Sequence, residues 1–183
     1  MDWEDKLPAG HSYREDGGFT LIEMVAVVVL LGILAAIALP NFINLRQDAR
    51  QVMLNTAVAA TKNASEFVFL KGQLQGISNG KVDIGGEEVL VVEGYMQGRG
   101  ADAFLKVVEL SGITTGLDWD ELCPTSFCTH GNEQSMPDVP GANGGRGVYV
   151  WPIATTVADS CYLYYYNRED GSPPLIGKIA SGC

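Results

Sequence analysis

Hydrophobic positions are unevenly distributed along this chain. From Phe19 to Leu39 they form a nearly unbroken run, FTLIEMVAVVVLLGILAAIAL, about the 20 residues that a helix needs to cross the hydrocarbon core of a bilayer. After Pro40 the pattern turns amphipathic. Phe42, Leu45, Ala49, Met53, Ala57, Ala60, Ala64 and Phe67 recur every three or four positions, the stripe of one helical face. Gly72 offers a stop, so the pattern predicts a helix from Phe19 to Lys71, roughly 80 Å long at 1.5 Å per residue. Helix breaks are expected at Gly32 and Pro40, since proline removes a backbone donor and clashes with the preceding turn.

Beyond Gly72 the signals shorten. A glycine-rich connector to Gly100 holds one candidate strand at Val89 to Val92, and Ala101 to Leu110 reads as a short helix carrying Phe104, Val107 and Val108. Gly141 to Gly147 reads as a flexible loop. It lacks the lysine and following helix of a phosphate cradle. Val148 to Trp151 reads as a strand ended by Pro152, and Cys161 to Tyr166 as a strand with two usable faces. A turn from Asn167 to Pro174 leads to a further strand near Leu175 to Ile179. The tyrosines of this region could stack on a sugar or across subunits, with core packing as the default.

Glu23 is the ionisable residue of the apolar run. A carboxylate in a spanning helix costs a few kcal/mol and marks a partner or a function. A cut between Gly18 and Phe19 would create an ammonium four residues before it, and opposite charges so placed lower the desolvation cost that each bears alone. The leader before the cut has no apolar stretch of its own, so the chain does not read as carrying an ordinary secretory signal removed behind its hydrophobic region.

Charge and cysteines narrow the function classes. The formal charge of −10 and pI near 4.5 repel phosphate backbones and argue against a nucleic-acid surface. Cys123, Cys128, Cys161 and Cys183 lie in the last third of the chain, which favours two disulfides in an oxidising compartment. Four cysteines allow three pairings. A short loop from Cys123 to Cys128 and a longer one ending at Cys183 is the simplest. A metal site from Cys123, Cys128, His130 and one later cysteine matches no common zinc spacing. Asp118, Asp120 and Glu121 lack calcium-loop spacing and suit a solvated helix start. No nucleophile is matched with a base, His130 standing alone in a cysteine-bounded loop, so no catalytic residue and no cofactor are expected.

The segment Gly18-Phe19-Thr20-Leu21-Ile22-Glu23, with the apolar run through Gly32 and then Pro40 and Phe42, resembles the processing and assembly segment of type IV prepilins. Pro40 to Leu45, Asp48-Ala49-Arg50, Cys161 with its aromatic strand, Pro174 and Gly182-Cys183 are similar to the mannose-sensitive haemagglutinin class of type IV pilins. The resemblance implies cleavage after Gly18 by a prepilin peptidase, methylation of the new amine of Phe19, and neutralisation of a neighbouring amine by Glu23 during assembly. The leader differs from the short basic leaders of that family in being acidic.

The expected organisation is a cytoplasmic leader (1–18), a transmembrane and filament-core half-helix (19–40), an amphipathic second half (41–72) and a head (73–183) with two disulfides. The expected fold is α+β, a long N-terminal helix packed on an antiparallel sheet of about three to five strands. The resemblance implies a structural subunit, not an enzyme. Its partners would be further copies of itself in a helical filament, the peptidase/methyltransferase, inner-membrane assembly machinery, and lipid before assembly. The precursor would sit in the inner membrane with its head in the periplasm, and the product would be an extracellular, adhesive pilus. A type II secretion pseudopilin and a membrane-anchored binding or enzyme domain are the alternatives.

Overall fold

The computed structural model describes residues 18–183. The leader before Gly18 and the side chain of Phe42 lie outside the described residues. The chain divides into two units between Ile43 and Asn44. In the first, the described residues form the opening of helix α1 (Leu21–Gln75). Leu21 to Ala38 is exposed throughout, with a mean hydropathy of 2.8, and is long and apolar enough to cross a membrane.

α1 continues through Gly32 and Pro40, so neither residue brings a local loss of helix. Proline removes a single donor, and the aliphatic residues before it keep helical propensity high. The helix also passes the stop expected at Gly72 and ends at Gln75. Gly76 takes a left-handed conformation (φ 68°), Ile77 N–H bonds Gly72 C=O at 2.9 Å, and Gly76 N–H bonds Gln73 C=O at 3.2 Å. That is a Schellman cap. Gly72 serves it by absence of bulk, because a Cβ there would meet the Ile77 oxygen at 2.9 Å.

In the second unit the buried face of α1 runs through Leu54, Ala57, Thr61, Ala64, Ser65 and Val68. Ala57 and Ala64 belong to the expected stripe, but Leu45 (65% exposed) and Phe67 (47%) point outward. Two hydroxyl residues disguised the true face. Thr61 is buried without penalty because its Oγ1 donates to Ala57 C=O at 2.8 Å.

The head contains two sheets. The first orders β1 (Gly80–Ile84), β2 (Glu87–Val92) and β3 (Tyr95–Met96) as antiparallel neighbours. Gly85-Gly86 and Glu93-Gly94 join them as two-residue turns with all four residues at positive φ, the geometry that matches strand twist in tight hairpins. A π-helical turn at Gly100–Phe104 runs into the brief helix α2 (Leu105–Val107), where one short helix was expected. The second sheet orders β4 (Ile113–Thr115), β5 (Phe127–Ser135), β6 (Asn143–Pro152), β7 (Tyr162–Asn167) and β8 (Leu175–Ile179). Its pairs are antiparallel except β4 with β5, which is parallel. The architecture is the expected α+β, with more strands than foreseen.

The expected flexible loop at Gly141 to Gly147 is instead largely strand, since β6 begins at Asn143. Its glycines let aromatic neighbours close in. A Cβ at Gly147 would meet Tyr166 Cδ2 at 2.6 Å, and Gly145 N–H donates to Tyr166 Oη at 2.8 Å. The helix start expected around Trp119 is a turn, in which Asp118 N–H donates to Glu121 Oε2 at 3.1 Å.

The five-stranded sheet is buried on both faces. Val148, Val150, Leu163 and Tyr165 face Leu54, Ala57 and Val68 of α1 together with Val82, Val89 and Val91 of the first sheet, the helix-side core. Tyr149, Trp151, Tyr162 and Tyr166 form a second, outer core with Met136, Val139 and Val157. The period of two along β6 and β7 assigns alternate residues to the two cores. The two bridges serve different cores. Cys123 is bonded to Cys128 in the outer core, and Cys161 to Cys183 in the helix-side core. Arg50 of α1 reaches the second bridge and a neighbouring loop, donating to the carbonyls of Cys183 at 3.3 Å and Ala154 at 3.2 Å.

Candidate processing and assembly site

Gly18, Phe19 and Thr20 lead into α1 as exposed, irregular chain, and the Phe19 side chain is 83% exposed. Nothing among the described residues demands glycine at position 18. A Cβ there would meet no atom within 4 Å, and its backbone is not left-handed. The same lack of neighbours holds at Gly32. A helix-interior glycine costs about 1 kcal/mol relative to alanine, so whatever favours Gly32 lies outside the described intramolecular contacts.

Thr20 and Glu23 form a reciprocal pair. Glu23 Oε2 accepts from Thr20 N–H at 2.8 Å and from its hydroxyl at 2.8 Å, while Glu23 N–H donates to Thr20 Oγ1 at 3.3 Å. This is a capping box, satisfying donors that the first helical turn leaves open. The carboxylate also lies at the positive end of the helix dipole. Sequence reasoning placed Glu23 opposite a future amine and missed Thr20, although threonine three residues before glutamate ahead of an apolar run is the written sign of this cap. Among the described residues Oε1 of Glu23 accepts no hydrogen bond, which leaves one oxygen for a further donor.

Residues 14–39 match the model of the prokaryotic N-terminal methylation motif. The chain is type IV pilin-like at its N-terminus. It is 47% identical over 60 residues to the type IV narrow pilus major component of Thermus thermophilus, covering 33% of this chain and 50% of that protein. It is 46% identical over 52 residues to the type IV major pilin of Myxococcus xanthus, covering 28% and 24%. It is 43% identical over 54 residues to the type II secretion system core protein G of Vibrio cholerae, covering 30% and 37%. The chain thus spans half the length, or less, of these curated relatives. No solved structure matches it.

The other expected site residues fall elsewhere. His130 is not isolated: it lies on β5, its Nδ1 2.8 Å from the Leu117 carbonyl and its Nε2 3.0 Å from Glu133 Oε1. Disulfide bonding takes Cys123 and Cys128 away from any metal. Among the described residues no group of three or more acidic, histidine or cysteine side chains is placed to hold a metal ion.

Proposed function

We propose that this chain is a structural subunit of a type IV pilus, cut after Gly18, methylated at Phe19 and polymerised through the first half of α1 to serve surface adhesion. The supporting observation is the fully exposed apolar stretch Leu21–Ala38 within the matched methylation motif, capped by a single carboxylate. Isolated in water, such a surface is unstable. It is accommodated in lipid as a membrane-anchored precursor and then by the same stretch of other subunits, where burial of apolar surface supplies the driving force.

Glu23 has a role in each setting. In the uncut chain the Thr20 donors stabilise its charge. After cleavage the new Phe19 ammonium, on its own chain or a neighbour, supplies the donor for the remaining oxygen, and a paired charge enters the apolar core more readily than a lone one. The peptidase, not the fold, selects for glycine at position 18, and Gly32 and Pro40 belong to the packing of the filament. The leader lies on the cytoplasmic side and the head, with its disulfides, on the oxidising side.

Mass analysis of the N-terminal peptide of the protein isolated from membranes tests this. N-methylated Phe19 is the expected first residue, and Gly18→Val is expected to leave the precursor uncut. An intact leader in the unmodified protein would overturn processing and favour a membrane-anchored binding or enzyme domain. The likeness to core protein G supports a second reading, a pseudopilin of type II secretion. Loss of surface filaments in cells lacking this chain, with secretion unchanged, separates the pilus from that alternative.

A further inference from the structure

The outer side of the head holds a cleft of about 350 Å³ lined by Trp119, Glu133, Ser135, Asp138, Tyr149 and Val157, among others. Trp119 is 50% exposed and forms an aromatic wall. Tyr149 is 7% exposed, and no hydrogen bond among the described residues satisfies its hydroxyl. Burial, with the nearby Glu133 and Asp138 carboxylates, pushes its pKa up to about 12, so its hydroxyl keeps its proton at neutral pH.

Each carboxylate is already oriented through one oxygen. Glu133 Oε1 lies 3.0 Å from His130 Nε2, and Asp138 Oδ2 accepts from Tyr162 Oη at 3.3 Å. The second oxygen of each accepts no hydrogen bond among the described residues. Among the described residues no lysine or arginine lines the cleft. The site therefore offers acceptors, negative charge and an indole face. A neutral sugar would meet the hydrogen-bonding capacity and leave the charge uncompensated, whereas a cation with several N–H groups answers both.

We propose that this cleft binds an organic cation of the lysine side-chain type, an alkylammonium seated against the Trp119 indole with its N–H groups donated to Tyr149, Glu133 and Asp138. Cation–π attraction favours the indole as a wall, and charge-assisted hydrogen bonds fix the head group. The same chemistry serves a free amine or a lysine displayed on a peptide.

Saturation-transfer NMR on the full chain in detergent, at low ionic strength and pH 7, tests the site with cadaverine, acetyl-Gly-Lys-Gly amide and glucose. Saturation of an amine probe and not of glucose is expected, and the tighter of the two amine probes identifies the source. Combining Glu133→Gln with Asp138→Asn should weaken amine binding at least about tenfold. Asp138 also holds Tyr162, so Tyr149→Phe provides a second variant that keeps the ring and deletes one oxygen, with an expected loss of about fivefold. Silence from both amines, glucose binding as tightly as either amine, or amine binding unchanged in either variant would overturn the proposal.

Discussion

The glycines of the head and those of the apolar N-terminal segment answer to different demands. In the head, a methyl at Gly147 would strike the Met136 side chain and the Tyr166 ring, and one at Gly182 would overlap the Asp159 carbonyl. At Gly18 and Gly32 it would touch none of the described residues. Burial follows the same division. The sheet packs apolar side chains on both faces, while Leu21 to Ala38 leaves every side chain exposed. In the cores of the head, and at Gly147 and Gly182, residue identity is accounted for by contacts within one chain. In the N-terminal segment it is accounted for by what surrounds the chain, so a stability measurement and an assembly measurement should respond to different residues.

The largest effect expected to sharpen that division comes from Glu23→Gln. Glutamine can still accept from Thr20, so the cap and the head survive, and an uncharged side chain is easier to leave in lipid. The amine of Phe19 would enter the filament core without a counter-charge, a loss of about 3 to 5 kcal/mol for a broken buried pair. Electron microscopy should show few filaments, while immunoblots show an undiminished membrane pool. Normal filament numbers would break the comparison.

The opposite response is expected of Cys183→Ser. Opening the Cys161–Cys183 bridge, which closes a 22-residue separation, should destabilise the head by about 2 to 4 kcal/mol in denaturant unfolding. The cut after Gly18 should proceed as before.

A matched glycine pair tests the division directly. Gly182→Ala forces the backbone away from Asp159 and should cost about 1 to 3 kcal/mol of head stability. Gly32→Ala meets no neighbour and should leave thermal unfolding of the head unchanged, yet reduce filament yield if a second subunit packs there. Unchanged filaments would remove the assembly role of Gly32.

The smallest effect is in alkaline solution. Tyr165 is fully buried, and burial raises its pKa above the ordinary tyrosine value, as it does for Tyr149 and Tyr162. The folded head therefore holds these protons more tightly than the unfolded chain does. Their stabilisation is complete below about pH 10 and is lost as pH rises toward and beyond 12. Denaturant midpoints should fall over that range. Tyr165→Phe should flatten part of the fall, although it gives up the hydrogen bond from Tyr165 Oη to the Met96 carbonyl.

The legibility of the sequence divides along the same line. The apolar run and Glu23 were visible because nothing local competes with a nearly unbroken apolar stretch from Phe19 to Leu39. β8 was visible because turn residues bound it, β6 because valine and aromatic residues alternate from Val148 to Trp151, and β7 because it is a run of tyrosines around Leu163. β5 was missed, since FCTHGNEQS carries a glycine, a bulge at Asn132 (φ 74°) and polar outward residues. Its strand character comes from pairing with β6, the next strand along, and not from its own composition. The glycines before Val148 looked like loop because their neighbours, Tyr166 and Met136, are remote in the chain. On the helix, Thr61 and Ser65 hid the packed face, because a hydroxyl bonded within the fold reads as polar in the sequence. Thr20 was legible and passed over. The acidic cluster around Trp119 gave no sign of the outer core that its loop helps to close.

The five-stranded sheet also acts as a partition. The helix-side and outer cores share no residue, each has its own covalent bridge, and alternate side chains of β6 and β7 serve one or the other. Changes in free energy add when sites lack common partners. Lineages could therefore rework the outer loops, from Leu117 to the Cys123–Cys128 bridge and from Met136 to Ala142, at a mutational rate set by that core alone. The outer face can change while the face that carries the helix is held still.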